Sequence, residues 1–167
     1  MRTPPQNSTA RTLVVRDLEE HRAHVLRTID GLGERDLDRV VARSGWTPRS
    51  MVSHLLHDVE IFWLRAVLGA DESAIDRLRD GWTAPPLPGP ELRAAYRRET
   101  ALGDGILART DLEAPPLWWP PPEVFDAPRL ETGWEVLLRV LGETSLHAGH
   151  LDMAREAIDG RQDLVVG

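Results

Sequence analysis

The chain contains no cysteine. Disulfides, thiolate metal sites and a cysteine nucleophile are therefore excluded, and any thiol chemistry must use a thiol from outside. Lysine is also absent, so every basic side chain is an arginine, which reads as a bias of composition. No apolar run reaches the length of a membrane span. The first residues, MRTPPQNSTAR, lack the apolar centre of a secretory signal, so a cytoplasmic protein is expected. The formal net charge is -7 and no basic cluster stands out. Nucleic acid and anionic membrane are thus not the expected partners.

What remains is an ordinary soluble composition. The 167 residues, 41% of them hydrophobic, suit one domain built around one core over 1–167. There is no internal repeat and no linker. Four stretches carry helical spacing, which predicts an all-α four-helix bundle with long connections. The first is Thr12 to Leu32, with Val14, Leu18, Val25, Ile29 and Leu32 on one seam; His21 falls on that seam and is expected in the core. His24 is less well placed and is expected to be partly exposed. Met1 to Ala10 is expected to fray, and Glu34 to Arg43 to connect, with room for one helical turn.

The second helix has a clear start, Thr47 as N-cap with Pro48 in the first turn. It should run to about Gly69 and, being apolar over most of its circumference, should be buried. Counted at about 100° per residue, His54, Asp58, Ile61, Arg65 and Leu68 share one stripe. A long connection from Asp71 to Pro90 carries Trp82 and a proline cluster. The third helix, Pro90 to Arg109, is weakened by Gly103 and Gly105. Asp111 to Glu131 looks irregular, yet Leu117, Trp118, Trp119, Val124 and Phe125 are too apolar for a solvated linker, so it should fold back as a lid. The fourth helix, Gly133 to Asp159, opens on a Thr132/Glu135 capping box and stops at Gly160.

That fourth helix holds the chemistry. With Glu143 as reference, His147 lies about 40° away and His150 about 20° the other way. Val136, Val140, Leu146, Ala154 and Ile158 fall near the same line. A carboxylate and imidazoles turned toward an apolar face need compensation, because burying even a neutral polar group unpaired costs about 2–7 kcal/mol. Glu143 and His147 on adjacent turns, with His54 from a facing helix, would make a three-ligand metal site with an open fourth position. A buried Glu–His hydrogen bond without metal accounts for the short E-x-x-x-H spacing equally well.

Around it, Asp58 is one turn from His54 and placed to hold its free ring nitrogen; a salt bridge to Arg65 is its plainer role. His150 could ligate or carry protons, with lining the cavity as the preferred use, and His57 belongs to the surface or the outer shell. Arg139, one turn before Glu143, suits a carboxylate or phosphate beside the site, or a plain ion pair. Trp82, Trp118 and Trp119 are candidates for a pocket mouth, core packing being the commoner use. Zinc-protease, Walker-loop, di-iron and nucleophile-elbow motifs are absent.

Two segments resemble a known family. Gly45-Trp46-Thr47 followed by Val52-Ser53-His54-Leu55 is similar to the second-helix motif of the DinB-like superfamily. Glu143-Thr144-Ser145-Leu146-His147-Ala148-Gly149-His150-Leu151-Asp152 resembles its last-helix motif in the DUF664 form, with mycothiol-dependent maleylpyruvate isomerase a more distant relative. The resemblance implies a four-helix bundle of the DinB type holding one divalent metal, zinc before nickel, through His54, Glu143 and His147. Many members of the superfamily carry His where this chain has Glu143; the mycothiol-dependent branch carries Glu. It further implies mycothiol or a similar thiol, activated for transfer to, or isomerisation of, a small electrophilic substrate, and leaves room for a homodimer. The competing expectations are a non-enzymatic metal- or ligand-binding module of the stress response and a metal-dependent hydrolase.

Overall fold

The computed structural model describes residues 7–79 and 86–163, and all regular structure among them is helical. Helix α1 spans Asn7–Thr28 and the short α2 Glu34–Leu37. Helix α3, Pro48–His54, continues directly into a π-helical segment, Leu55–Leu68. Then follow α4 (Glu72–Arg79), α5 (Gly89–Arg109) and α6 (Gly133–Asp159). Trp82 lies outside the described residues. No described helix is long and apolar enough to cross a membrane.

Helix α6 has the bounds read from sequence because local chemistry writes both ends. The Thr132 hydroxyl accepts from the Glu135 backbone N–H, and the Glu135 carboxylate accepts from that of Thr132 at 2.8 Å. At the other end Gly160 turns the chain at φ 77, a conformation that costs a residue with a Cβ. Thr132→Ala removes one half of the box. It should cost about 1 kcal/mol and lower Tm by about 2–4 °C in thermal unfolding followed by circular dichroism. The start of α3 is built alike: Thr47 Oγ accepts from Ser50 N–H at 3.1 Å, and Ser50 Oγ accepts from Thr47 N–H at 2.8 Å.

Elsewhere the bounds move. Residues 7–10, expected to fray, belong to α1, which stops at Thr28 before Gly31 turns the chain at φ 75. Helix α4 occupies part of the long connection read from Asp71 to Pro90. Asp71 makes it possible by accepting from the backbone N–H of Ser73 and of Ala74, the work of an N-cap.

The π segment was not foreseen. Its bonds reach one residue further than α-helical ones, as in Gly69 N–H to Leu64 O at 3.0 Å, and such runs are rare at this length. The expected burial holds: everything from Val59 to Leu68 is inside. The 100° count fails beyond His54, because each turn now holds more residues. Glu60 is thereby turned fully inward and receives both Nε and Nη2 of Arg22, at 2.8 and 2.6 Å. Arg65 donates to Glu99 at 2.6 Å and to Asp71 at 2.8 Å, so its carboxylate partners are these rather than Asp58.

Helix α1 lies along α6, and the π segment packs against both α5 and α6. Gly103 permits the α5 approach, since a Cβ there would sit 2.8 Å from Leu64 Cδ1 and 3.1 Å from Glu60 Oε2. The chain between α5 and α6 folds back in part. Trp118, Trp119 and Phe125 pack on the core, and Trp118 N–H donates to Val67 O at 3.1 Å. Leu117 and Val124 stay exposed. On α6 the buried face runs through Val136, Val140, Thr144, Ala148 and Leu151, while Leu146 is 56% exposed. The inward direction is therefore displaced from Glu143 toward Thr144, and Glu143 and His150 stand at its rim.

Candidate metal centre

His54 is the last residue of α3, set just before the change of helical register, and Glu143 and His147 occupy successive turns of α6. The packing of the π segment on α6 brings them together. His54 Nε2 lies 3.6 Å from Glu143 Oε2, and His147 Nε2 lies 3.7 Å from the same oxygen. One ligand atom from each residue falls within 4.8 Å of the others. Zinc bonds of 2.0–2.2 Å at a tetrahedral angle separate neighbouring donors by roughly 3.3–3.6 Å. The two separations from the Glu143 oxygen therefore lie within a few tenths of an ångström of that spacing. Two neutral imidazoles and one carboxylate also match the donor sets of open, three-ligand zinc sites. Among the described residues no other such group of His and carboxylate donors is present.

The surroundings treat the two imidazoles differently. His54 Nδ1 is 2.6 Å from Asp58 Oδ2, the carboxylate contact that orients metal-binding histidines. The hydrogen bond to Asp58 raises the His54 pKa, against an opposing effect of burial, with Glu143 adding a smaller push upward. His147 goes the other way: burial lowers its pKa, and the neighbouring His54 lowers it further. Its Nδ1 is buried and has no partner among the described residues. Trp46, eight residues before His54, packs against both rings, 5.5 Å from His54 at 83° and 5.4 Å from His147 at 34°. It thereby restricts both rotamers.

These opposite shifts give a pH prediction. In the metal-free protein a proton on His54 competes with the metal, and its raised pKa starts that competition above pH 6.5, the ordinary imidazole value. Affinity for zinc should thus begin to fall at a higher pH than for an ordinary histidine site as the solution is acidified. Asp58→Asn removes the cause of the raised pKa and the orienting carboxylate together. At pH 8 it should weaken zinc binding about 10–100-fold. The onset of proton competition should move to lower pH. Competition titration across pH 5.5–8 reads both; an unchanged onset in Asp58→Asn would remove Asp58 as the cause.

The remaining candidates are distributed around this group. His150 is exposed, its ring 5.3 Å from that of His147. His57 is half-buried; burial lowers its pKa first, and the charge of Arg77 second. Arg139 is exposed and lies over the Trp63 ring at 5.1 Å, a cation–π contact. Trp119 belongs to that same aromatic patch, 6.0 Å from Trp63 and 5.9 Å from Phe125. Trp118 lines a separate hollow with Ile75 and Leu78. The two described lid tryptophans thus border other surfaces than the two hollows beside the histidines. His21, expected in the core, is half-buried, 3.9 Å from Asp17. His24, expected to be partly exposed, is buried and meets Asp152 of α6 at 2.8 Å. Neither helix reveals that pairing alone, since the partners are 128 residues apart.

Two hollows open beside the centre, and they share Ser44 and Trp46. One, of about 380 Å³, is mixed in character, with the polar side chains Ser50, Ser53, His57 and Asp58 around His54. The other, of about 390 Å³, is mainly apolar, with Val41, Met51, Met153 and Ala154 beyond His147 and His150. The structure thus places potential metal ligands between a hydrogen-bonding recess and a hydrocarbon one. The sequence could not foresee this, because the residues of each hollow come from the loop before α3 and from different helices.

A family model described as Mycothiol-S-transferase matches residues 13–160 of the chain. No curated protein and no solved structure matches it.

Proposed function

The chain belongs to the Mycothiol-S-transferase family, and on that premise we propose that it is a metal-dependent thiol S-transferase acting on small electrophiles. The observation that carries the reading is the meeting of His54, His147 and Glu143 between two hollows, one of mixed polarity and one mainly apolar. The absence of cysteine from the chain fits a thiol delivered as a separate molecule. The packing of α1, the π segment, α5 and α6 is read as the four-helix bundle of the DinB type.

His54 Nε2, His147 Nε2 and the Glu143 carboxylate would hold the divalent ion, zinc by donor type. When bound, such an ion supplies positive charge that lowers the pKa of a thiol and favours its thiolate. The chain's own residues do the rest. Asp58 fixes the His54 ring through Nδ1, and Trp46 restrains both imidazoles. Ser53 and His57 offer hydrogen bonds to a polar thiol carrier in the recess beside His54. His150, exposed next to His147, is placed to pass a proton to solvent.

The test uses cobalt-substituted protein titrated with mycothiol and, in parallel, a transfer assay with a small alkylating agent. Growth of a thiolate-to-cobalt charge-transfer band, together with loss of free thiol to the conjugate, is the expected result. A cobalt spectrum unmoved by thiol removes the physical basis for transfer. Hydrolysis of an ester or amide without thiol would move the reading to a hydrolase.

A further inference from the structure

Metal binding and a polar thiol leave the second hollow unaccounted for. Its wall is hydrocarbon, with Met51 at the buried end and Met153, 71% exposed, at the rim. The side chains on its lining that carry polar atoms are Ser44, Trp46, His147 and His150, and none of the lining side chains is an arginine, aspartate or glutamate. The hollow is thus polar toward the histidines and oily away from them. Its volume of about 390 Å³ lies in the lower part of the range of small-molecule sites, roughly 300–1,000 Å³. A thioether at the rim is flexible and polarisable, and packs against apolar bodies of differing shape. Trp46 stands between this hollow and the polar one, so two molecules can approach the histidines from different sides.

We infer that the apolar hollow is the subsite for the electrophile and selects uncharged small molecules with an alkyl or aryl body. The inference rests on the thiol-transfer reading above. The body lies against Met51, Ala154 and Met153, and the reactive carbon lies at the His147 end. With an alkyl halide, the sulfur lone pair forms the C–S bond while the C–halogen bond breaks. Halide leaves with the bonding pair, and the thiol's proton goes to solvent. The sum is thiol plus alkyl halide giving thioether, halide and a proton. Selectivity follows from burial, since each methylene taken out of water favours binding by up to about fourfold.

The test has a binding arm and a turnover arm. In the first, protein labelled with ¹³C at the methionine methyls is titrated with 1-alkanols from ethanol to hexanol. The Met51 and Met153 resonances should shift and saturate, with affinity rising about two- to fourfold per methylene. In the second, kcat/KM with mycothiol should climb at a similar rate from ethyl to hexyl iodide. Ala157→Trp, an exposed rim position on α6, should partly fill the hollow and flatten both series. Turnover with a flat chain-length series, or with unmoved methionine methyls, overturns the subsite and leaves thiol transfer standing. An unaltered slope in Ala157→Trp overturns it as well. Turnover of no halide, with the methyl shifts intact, overturns the transfer reading and the electrophile assignment with it.

Discussion

Zinc binding should fall by more than about 100-fold in His147→Ala, beyond the loss expected from removing an outer-shell partner. The reason is geometric. His147 Nε2 and His54 Nε2 stand 3.7 and 3.6 Å from one oxygen of Glu143, and the one pair of donors left, His54 and Glu143, does not close a site by itself. Protein purified without an affinity tag and analysed for metal content would report the stoichiometry, and competition with a chromophoric chelator the affinity. His150→Ala makes the contrast, because its ring stands outside the converging group; it should retain the ion. Thermal unfolding separates loss of metal from loss of fold. At zinc one hundred times above Kd, binding adds about 2.7 kcal/mol to the wild type, and the variant should lose that increment. Without metal the two proteins should be close in stability. Truncation gives up packing against Trp46, but it also removes a buried Nδ1 that has no partner among the described residues, which relieves about 1–3 kcal/mol. Retention of zinc by His147→Ala, with its loss in His150→Ala, would transfer the ligand role to His150.

Replacing Arg22 by Met should be the most damaging change to stability. Arg22 binds both carboxylate oxygens of Glu60 at 2.8 and 2.6 Å and Asp104 at 2.5 Å, with the Arg22 and Glu60 side chains only 5% and 1% exposed. Removing one member of a buried pair costs about 3–5 kcal/mol, out of a total of about 5–15. For a chain of this size that is a fall in Tm of roughly 6–20 °C. The loss should also depend on pH. Burial pushes the Glu60 carboxyl up, against the pull of Arg22, and without the guanidinium burial acts unopposed. The folded variant then holds a proton that its unfolded chain releases near pH 4.5, so its stability falls as pH rises from there through the raised folded value. Urea titrations at pH 4.5 and 7.5 would show Arg22→Met closest to wild type at the lower pH. An equal deficit at both would mean that packing, not the unpaired carboxylate, is what was lost. A companion Glu60→Leu replacement should recover much of the stability at pH 7.5, because apolar residues substitute well for a buried pair removed whole.

Much of the helical layout was legible because its signals are local. Thr132, Glu135 and Gly160 delimit α6, and Thr47 with Pro48 starts α3, through contacts spanning only a few residues. The same reasoning missed α4, whose cap, Asp71, sits in a stretch dominated by downstream prolines and glycine. It also misplaced the buried face of α6. A hydrophobic count treats Leu146 as an inward residue, whereas neighbours from α1 and the π segment decide which residues are covered. His24 and Glu60 illustrate the same limit. Each is buried because of a partner on another helix, Asp152 for one and Arg22 for the other.

For the site, the sequence by itself determined the donor types, the one-turn spacing of Glu143 and His147, and the exclusion of a protein thiol. Those follow from covalent order and from the 3.6-residue period, which need no fold. Only the tertiary structure decided that His54 meets them, that Asp58 rather than solvent holds its Nδ1, and that Trp46 lines both a mixed recess and a mainly apolar one. Distances between helices depend on which side chains interlock and on where a helix changes register. In this chain the π segment after His54 sets that register through main-chain bonds, such as Gly69 to Leu64, for which residue spacing alone contains no signal.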